Sequence, residues 1–225
     1  MREIVEKKVL SENDRLAAEL RQRYHAENIL CVNLISSPGS GKTALLEKTL
    51  ASLPQGSSVA VLTGDIQTDN DARRLSRYGF PVRQIVTGGT CHLDARMVER
   101  HLNEMGFRGP GILFVENVGN LVCPSSYDLG EAAKVVLLSV TEGEDKPSKY
   151  PGIFHRASLM ILTKTDLLPH VDFNPDLALE NARKIHPEID YIALSSRTGE
   201  NFEKWLSWVN TLQQKMQRQP AAVSS

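Results

Sequence analysis

The segment SSPGSGKT carries glycines, a lysine and a threonine at a spacing that suits the binding of phosphate groups. Gly41 leaves the backbone free to close around a phosphate, while Lys42 offers an ammonium group and Thr43 a hydroxyl for Mg²⁺. An apolar run precedes the segment and a helix-like stretch follows it, which favours a P-loop over a chance Gly-Lys-Thr in a surface loop. The predicted phosphate-binding residues are Gly39, Ser40, Gly41, Lys42, Thr43 and Ala44.

The P-loop departs from its usual form at Ser36, which stands where the first glycine normally lies. If that position required a positive φ, a serine would be strained there, because its Cβ disfavours the left-handed region. We therefore expect a loop that is shaped slightly differently around Ser36.

Two carboxylates at the ends of predicted strands are candidates for holding Mg²⁺ or its water shell. They are Asp65 and Glu116, and Gly119 follows the second closely enough to offer its N–H to a γ-phosphate. A carboxylate at a strand end can also be no more than a helix N-cap. We predict that Asp65 and Glu116 form the catalytic set with Lys42, and that both bind Mg²⁺ together with Thr43.

The segment TKTD follows a later apolar run and resembles the Asn/Thr-Lys-x-Asp motif that selects guanine. The carboxylate of Asp166 accepts hydrogen bonds from guanine N1–H and N2–H₂, a pair that adenine lacks, and Lys164 covers the purine face. Thr163 replaces the commoner asparagine, so the contact of the side-chain amide should be weaker or missing. SSRTGE resembles the second base loop, with Ser195 and Ser196 near guanine O6. Alternatively, Asp166 only caps a turn.

Cys91, His92 and Cys123 lie in two loops that leave the same predicted sheet edge. Thiolates and imidazole suit Zn²⁺ or Ni²⁺ better than Mg²⁺, and three ligands leave one coordination position open. Two unrelated thiols and a surface histidine are the alternative, and these residues alone leave both interpretations open. Cys31 lies within an apolar run and is predicted to pack in the core. We do not expect disulfides, because the chain is expected in a reducing compartment.

Apolar runs of strand length alternate with helix-like stretches, which predicts a mainly parallel sheet with helices on both faces. The predicted strands are Leu30–Ile35, Val59–Thr63, Val82–Val86, Ile112–Val115, Val135–Val140, Leu159–Thr163 and Tyr191–Leu194. The predicted helices are Ser11–Ala26, Thr43–Ser52, Asn70–Tyr78, Leu93–Met105, Pro175–Ile185 and Phe202–Met216. The predicted fold class is therefore α/β, with the three layers of a P-loop NTPase and a seven-stranded sheet whose carboxyl edge carries the polar segments.

The bulk composition fits an ordinary globular chain of 225 residues with a formal net charge of −1. This balance predicts no nucleic-acid partner. No apolar run approaches the ~20 residues of a membrane span, and the charged start does not resemble a signal peptide, so we expect a cytoplasmic protein without a membrane partner. The predicted organisation is an N-terminal helical extension over 1–28, a GTPase domain over 29–217 and a disordered tail over 218–225.

The chain resembles the HypB family, the GTPases that help insert nickel into nickel–iron hydrogenase, over residues 9–212. The resemblance rests on VLSENDRLAAELR, SSPGSGKT, GDIQTDNDAR, TCHLDA, ENVGNLVCP, EGEDKPSKYP, TKTD and SSRTGE. It implies a metallochaperone that uses GTP, Mg²⁺ and Ni²⁺ or Zn²⁺, with Cys91, His92 and Cys123 at the interface of a GTP-promoted homodimer. It also implies a HypA-type nickel/zinc metallochaperone and the hydrogenase large subunit as partners, and leaves open whether Lys146 or Lys149 contacts phosphate.

Some features set limits on this resemblance. The sequence has no amino-terminal Cys-x-x-Cys-Gly-Cys motif and its 6 histidines are scattered, so high-affinity nickel binding or storage is not expected. The urease accessory GTPase is similar, but its Cys-Pro-His metal motif is missing here. No side chain is an obvious general base, so turnover should be slow.

Two other classes of function stay open. A P-loop kinase acting on a small molecule would need an arginine-bearing lid and an acceptor pocket, and would have no use for TKTD. A GTP-dependent binding module would bind the nucleotide without any metal role.

Overall fold

The computed structural model describes residues 2–65 and 70–218, with side chains from residue 8 onward. The predicted tail falls outside these ranges except for Arg218, which ends the last helix. Within them, no helix is both long enough and apolar enough to cross a membrane.

One parallel sheet forms the centre of the molecule. Its seven strands lie in the order β3-β2-β4-β1-β5-β6-β7, and every neighbouring pair is parallel. The strands are β1 (Ile29–Ser36), β2 (Val59–Asp65), β3 (Val82–Val86), β4 (Gly111–Glu116), β5 (Ala133–Ser139), β6 (Leu159–Thr163) and β7 (Asp190–Ala193). The predicted α/β class and seven-stranded sheet are confirmed.

α-Helices connect most consecutive strands, and a 3-10 helix over Cys123–Ser126 lies between β4 and β5. The α-helices are α1 (Arg2–Glu27), α2 (Lys42–Ser52), α3 (Asn70–Ser76), α4 (Ala95–Met105), α5 (Lys146–Lys149), α6 (Pro151–Arg156), α7 (Pro175–Ile185) and α8 (Phe202–Arg218). The first helix is longer than predicted and α3 is shorter. The helices α5 and α6 were not predicted; they have only 4 and 6 residues, and each carries a proline in its first turn.

Alternate residues of β1 divide the core into two layers. Leu30, Val32 and Leu34 pack with α2 and α8 on one face of the sheet. On the other face Ile29 and Cys31 pack with α1 and α4. A buried strand that points side chains to both faces reads as a continuous apolar run, which is why the pattern of the sequence predicts it well.

The order of the strands reverses at β1, whose neighbours are β4 and β5. In such sheets a crevice opens outside the carboxyl ends of the strands at the reversal point. The P-loop leaves β1 at this point, so the fold places it at the mouth of the crevice.

Candidate nucleotide and metal site

The P-loop connects the end of β1 to the start of α2. Gly39 (φ 74°) and Gly41 (φ 96°) lie in the left-handed region, where a side chain would be strained. Ser36 is the last residue of the extended β1, so the position does not require a positive φ and the serine is not strained there. Its hydroxyl instead accepts a hydrogen bond from Lys42 Nζ at 3.0 Å.

A cleft of about 500 Å³ opens beside this loop and collects most of the predicted site. Its lining comprises Pro38, Gly39, Gly41, Lys42, Thr43, Ala44, Gly64, Asp65, Asp71, Arg74, Glu116, Asn117, Val118, Gly119 and Lys164. Ser40 is the exception among the predicted phosphate-binding residues, because its hydroxyl donates to Glu142 Oε1 at 2.7 Å, with Ser37 O at 2.9 Å as a second acceptor. The side chain of Ser40 therefore fixes the loop.

Glu116 is the most buried acid of the cleft, with 3% of its surface exposed. Burial raises its pKa to about 7, although Lys42 and the hydrogen bond from Thr43 act in the opposite direction. Thr43 Oγ1 donates to its Oε1 at 2.7 Å, while its buried Oε2 has no hydrogen-bond partner among the described residues. Burial also lowers the pKa of Lys42. Both charged groups are thus poorly solvated, as in a site that is completed by ligands of opposite charge.

The segment after Glu116 lies directly against the P-loop. A Cβ on Gly119 would approach Pro38 Cα to 3.1 Å, which is tighter than an ordinary van der Waals contact, so the glycine lets this backbone pack closely against the P-loop. Asp65 lines the same cleft at the end of β2, and its carbonyl accepts from Thr87 N at 3.0 Å. The structure thereby brings the predicted Asp65, Glu116 and Gly119 together.

The two base loops meet beside the P-loop. Ser195 Oγ donates to Asp166 Oδ1 at 2.6 Å, and Ser195 is fully buried, whereas Ser196 is half-buried. Lys164 adopts a left-handed backbone (φ 61°) and lines the cleft; Asp166, Ser195 and Ser196 stand outside that lining.

Thr163, which stands in place of the usual asparagine, contacts the P-loop directly. Its Oγ1 donates to Ser40 O at 2.7 Å, with Leu138 O at 3.3 Å as a second acceptor. The missing amide contact is therefore replaced by a hydroxyl contact, which ties the base loop to the phosphate loop.

The two lysines of DKPSKY do not line the cleft of this chain. Lys146 pairs with Glu142 at 3.4 Å and lies over the ring of Tyr150, while Lys149 pairs with Asp145 at 2.5 Å. Both lysines are thus paired with acids of their own segment.

A second cluster lies at the same edge of the sheet. The ligand atoms of Cys91, His92 and Cys123 lie within 4.8 Å of one another, and the three residues are half-buried. The imidazole of His92 stacks on Tyr127 with the ring centroids 3.6 Å apart. Burial lowers the pKa of His92, although Asp94 opposes this, and the neutral imidazole is the form that binds a metal.

The structure also pairs Cys91 with Cys123 as a disulfide, with the Cα atoms 6.2 Å apart. The prediction that no cysteines pair is therefore wrong for this structure. The physical reason is topological: β3 and β4 flank β2, so the loops that follow them meet at one edge. The paired state and a metal-bound state exclude each other, because a metal binds thiolates. Cys31 stays free and buried in the core, as predicted.

The sequence patterns missed three polar residues of the cleft, namely Asp71, Arg74 and Asn117. Arg74 donates from Nε and Nη2 to the carboxylate of Glu47 at 3.0 and 2.6 Å, which holds its guanidinium at the cleft. The position of α3 in the sequence could have revealed Asp71 and Arg74. This helix follows the strand that ends at Asp65, so its first turns lie at the same edge of the sheet.

Comparison with known proteins shows one consistent likeness. The family model described as CobW/HypB/UreG, nucleotide-binding domain, matches residues 30–193. A hydrogenase maturation factor HypB of Azotobacter chroococcum is 53% identical over 205 residues, which cover 91% of this chain and 67% of that protein.

Two crystal structures have the same fold as this chain over nearly their whole length. HypB from Archaeoglobus fulgidus has a TM-score of 0.84 and 35% identity, over 90% of this chain and 99% of that structure. HypB from Helicobacter pylori, solved in complex with nickel, has a TM-score of 0.83 and 40% identity, over 95% of this chain and 99% of that structure.

Proposed function

We propose that this chain, which belongs to the HypB family of hydrogenase maturation factors, hydrolyses GTP and delivers nickel during hydrogenase maturation. One observation carries the proposal. The segment 116–123 begins with Glu116 in the phosphate cleft and ends with Cys123 in the thiol cluster. A nucleotide that changes the first end of this segment acts on a metal ligand at its other end.

The phosphate chemistry rests on groups that are already oriented. Lys42 and the backbone N–H groups at the start of α2 would bind the β- and γ-phosphates, with the positive end of the helix dipole behind them. Gly119 offers its N–H from the opposite wall of the cleft. Because no general base is evident, hydrolysis rests on the positioning of water and on electrostatics, and turnover is slow.

Mg²⁺ fits the residues beside these phosphate-binding groups. The buried Glu116 Oε2 without a partner and the nearby hydroxyl of Thr43 form an oxygen-only donor set, which this hard cation prefers. Thr43, Asp65 and Glu116 would hold the ion, which when bound neutralises charge on the phosphates.

The choice of GTP rests on Asp166. The hydrogen bond from Ser195 orients its carboxylate, so the second oxygen stays available for guanine N–H donors. Thr163 fixes the distance between this base loop and the phosphate grip. A site arranged in this way discriminates against adenine, which a kinase built on the same fold would normally accept.

Nickel is the proposed cargo of the thiol cluster. Two sulfurs and one imidazole suit Ni²⁺ or Zn²⁺, and three ligands leave a position through which the ion can be passed on. A relative solved in complex with nickel supports nickel over zinc. We further propose that GTP promotes a homodimer across this cluster, and that a HypA-type metallochaperone and the hydrogenase large subunit are the donor and acceptor partners.

The test replaces one cluster thiol and compares it with a thiol outside the cluster. Cys123→Ala should lose stoichiometric Ni²⁺ and Zn²⁺ binding, measured under reducing conditions by competition with a chromophoric chelator, while the affinity for GTP with Mg²⁺ stays within a few-fold. Cys31→Ala removes the same number of thiols from the core and should keep the metal. An unchanged metal stoichiometry in Cys123→Ala would leave only a GTP-dependent binding module.

A further inference from the structure

A buried asparagine contacts both the phosphate cleft beside the P-loop and the loop after β3 that carries Cys91 and His92 (the metal loop). Asn117, of which 1% is exposed, accepts two backbone N–H groups at its Oδ1: that of Leu93 at 3.2 Å and that of Val118 at 3.0 Å. Leu93 follows the metal-binding pair in the sequence, and Val118 precedes Gly119 at the cleft. One oxygen therefore holds both segments at once.

The amide nitrogen of the same side chain continues this contact into the sheet. Asn117 Nδ2 donates to Asn33 Oδ1 at 3.3 Å, and Asn33 Nδ2 donates to Glu131 Oε1 at 3.2 Å. Asn33 is fully buried in β1, and a polar side chain in the middle of a buried strand is stable only when it is hydrogen-bonded. The buried side-chain amide of Asn33 thus fixes the orientation of the Asn117 amide.

The other end of this hydrogen-bond network, at Glu131, is linked to the metal site. Lys134 Nζ contacts Glu131 Oε1 at 2.5 Å and donates to Tyr127 O at 3.3 Å. The ring of Tyr127 is the one that stacks on His92. The network therefore meets the metal loop twice, once at its backbone after His92 and once through the ring beside it.

We propose that Asn117 is the positioning residue through which the nucleotide state sets the affinity of the Cys91–His92–Cys123 cluster. The inference rests on the proposed function, since it needs both a nucleotide and a metal to bind. A γ-phosphate that engages the backbone at Gly119 shifts the neighbouring Val118, and the shared Oδ1 transmits that shift to Leu93. Leaving either buried N–H unpaired is unfavourable, so the two segments move together.

The chain offers a matched control in Asn13 of α1. This asparagine is also buried (5% exposed), and its Oδ1 accepts from Ala95 N at 2.9 Å, close to the point where Asn117 holds Leu93. Its amide nitrogen donates to Asp128 O at 2.9 Å rather than toward the cleft. Asn13 therefore supports the start of α4 without touching the nucleotide segment.

The experiment measures the Kd for Ni²⁺ of the reduced full chain, once with GDP and once with a non-hydrolysable GTP analogue, both with Mg²⁺. The ratio of the two Kd values is the coupling factor, and the absorption of the thiolate–nickel bond reports whether the same ligands are used. We expect a factor of about 5–150 in the unaltered chain, the usual range of coupling between sites. Asn117→Ser should bring it within about twofold of unity, whereas Asn13→Ser should leave it unchanged.

The outcomes separate this inference from the proposed function. A full coupling factor in Asn117→Ser, or an equal loss in both variants, would overturn the role of Asn117 while leaving nickel delivery intact. A factor of one in the unaltered chain would remove nucleotide–metal coupling itself, and this inference with it. If Asn117→Ser does not fold, Asn33→Ser decides by the same ratio, because it removes the fixing partner of the amide and should also lower the coupling factor.

Discussion

At the scale of single residues, Glu116 shows how burial prepares a site for its ligands. The carboxylate has lost most of its water, which raises its pKa to about 7, although Lys42, Thr43 and Arg74 act in the opposite direction. A divalent cation placed at the free Oε2 would favour the ionised form and repay the lost solvation. Burial therefore disfavours the charged forms of Glu116 and Lys42, which a nucleotide with its metal would stabilise.

Asp166 carries the prediction about the choice of base. Asp166→Asn should lower the affinity for GTP by roughly 10²-fold or more, because two hydrogen bonds to a charged acceptor are lost or weakened. The affinity for xanthosine triphosphate should rise, because the new amide donates to the 2-oxo group that replaces the guanine amine. Fluorescence titration with labelled forms of both nucleotides measures the two Kd values.

The control for this substitution is Asp172→Asn, which removes the same charge from an exposed position. It should leave both affinities unchanged. Unaltered GTP specificity in Asp166→Asn would mean that the TKTD segment is a structural turn, and the assignment of the base site would have to be abandoned.

At the scale of elements, the strands and the residues that cap the helices show how much of the molecule can be predicted from the sequence. The bounds of Val82–Val86 and Leu159–Thr163 were predicted correctly to the residue. Leu159–Thr163 is fully buried and reads as a nearly continuous apolar run, whereas in the edge strand Val82–Val86 apolar residues flank Arg83 and Gln84. The start of α4 was predicted at Leu93 but lies at Ala95, since the side chain of Asp94 accepts from Met97 N and caps the helix there.

In the candidate site, too, some features could be predicted from the sequence and others could not. Residues that follow a strand, such as Asp65 and Glu116, could be assigned to one edge because the parallel topology dictates it. Contacts between distant elements could not be assigned in this way: Glu47 accepts from Arg74, and Asn117 accepts from Leu93 N. No local pattern encodes such pairs, and the same holds for the cysteines, whose pairing depends on where two loops cross.

The contact between β6 and the P-loop gives a prediction at this scale. Thr163→Val keeps the shape of the buried side chain but removes the hydroxyl that bonds Ser40 O and Leu138 O. We expect a loss of about 1–3 kcal/mol in the free energy of unfolding, since buried acceptors lose their donor. We also expect weaker GTP binding, because the base loop and phosphate loop are no longer held together. Urea denaturation and nucleotide titration measure the two effects.

Thr163→Ser is the matched variant, because it keeps the hydroxyl and removes only a methyl group. It should retain most of the GTP affinity even if the small cavity costs some stability. If Thr163→Val binds GTP as tightly as Thr163→Ser, the contact with Ser40 is not what positions the two loops.

At the scale of the whole molecule, the proposed homodimer must cover the metal loops. Val122, which precedes the proposed metal ligand Cys123, is 59% exposed, and Val86 at the end of β3 is exposed to the same extent. A single exposed valine needs no explanation. Here one valine ends β3 and the other follows β4, and these two strands flank β2 at the edge of the site. An interface there would bury both and bring two metal clusters close to one symmetry axis.

The last prediction follows from this arrangement. Sedimentation equilibrium should give the mass of one chain with GDP, and twice that mass with a GTP analogue and Mg²⁺. Val122→Asp should weaken the dimer by at least about tenfold, because it would place an unpaired charge in the interface. Leu177→Asp adds the same charge on α7, where Leu177 is 42% exposed, and should leave the dimer intact. If both variants dimerise equally, or if GDP supports the same dimer, the metal loops do not form a nucleotide-dependent interface, and metal transfer would have to proceed from a single chain.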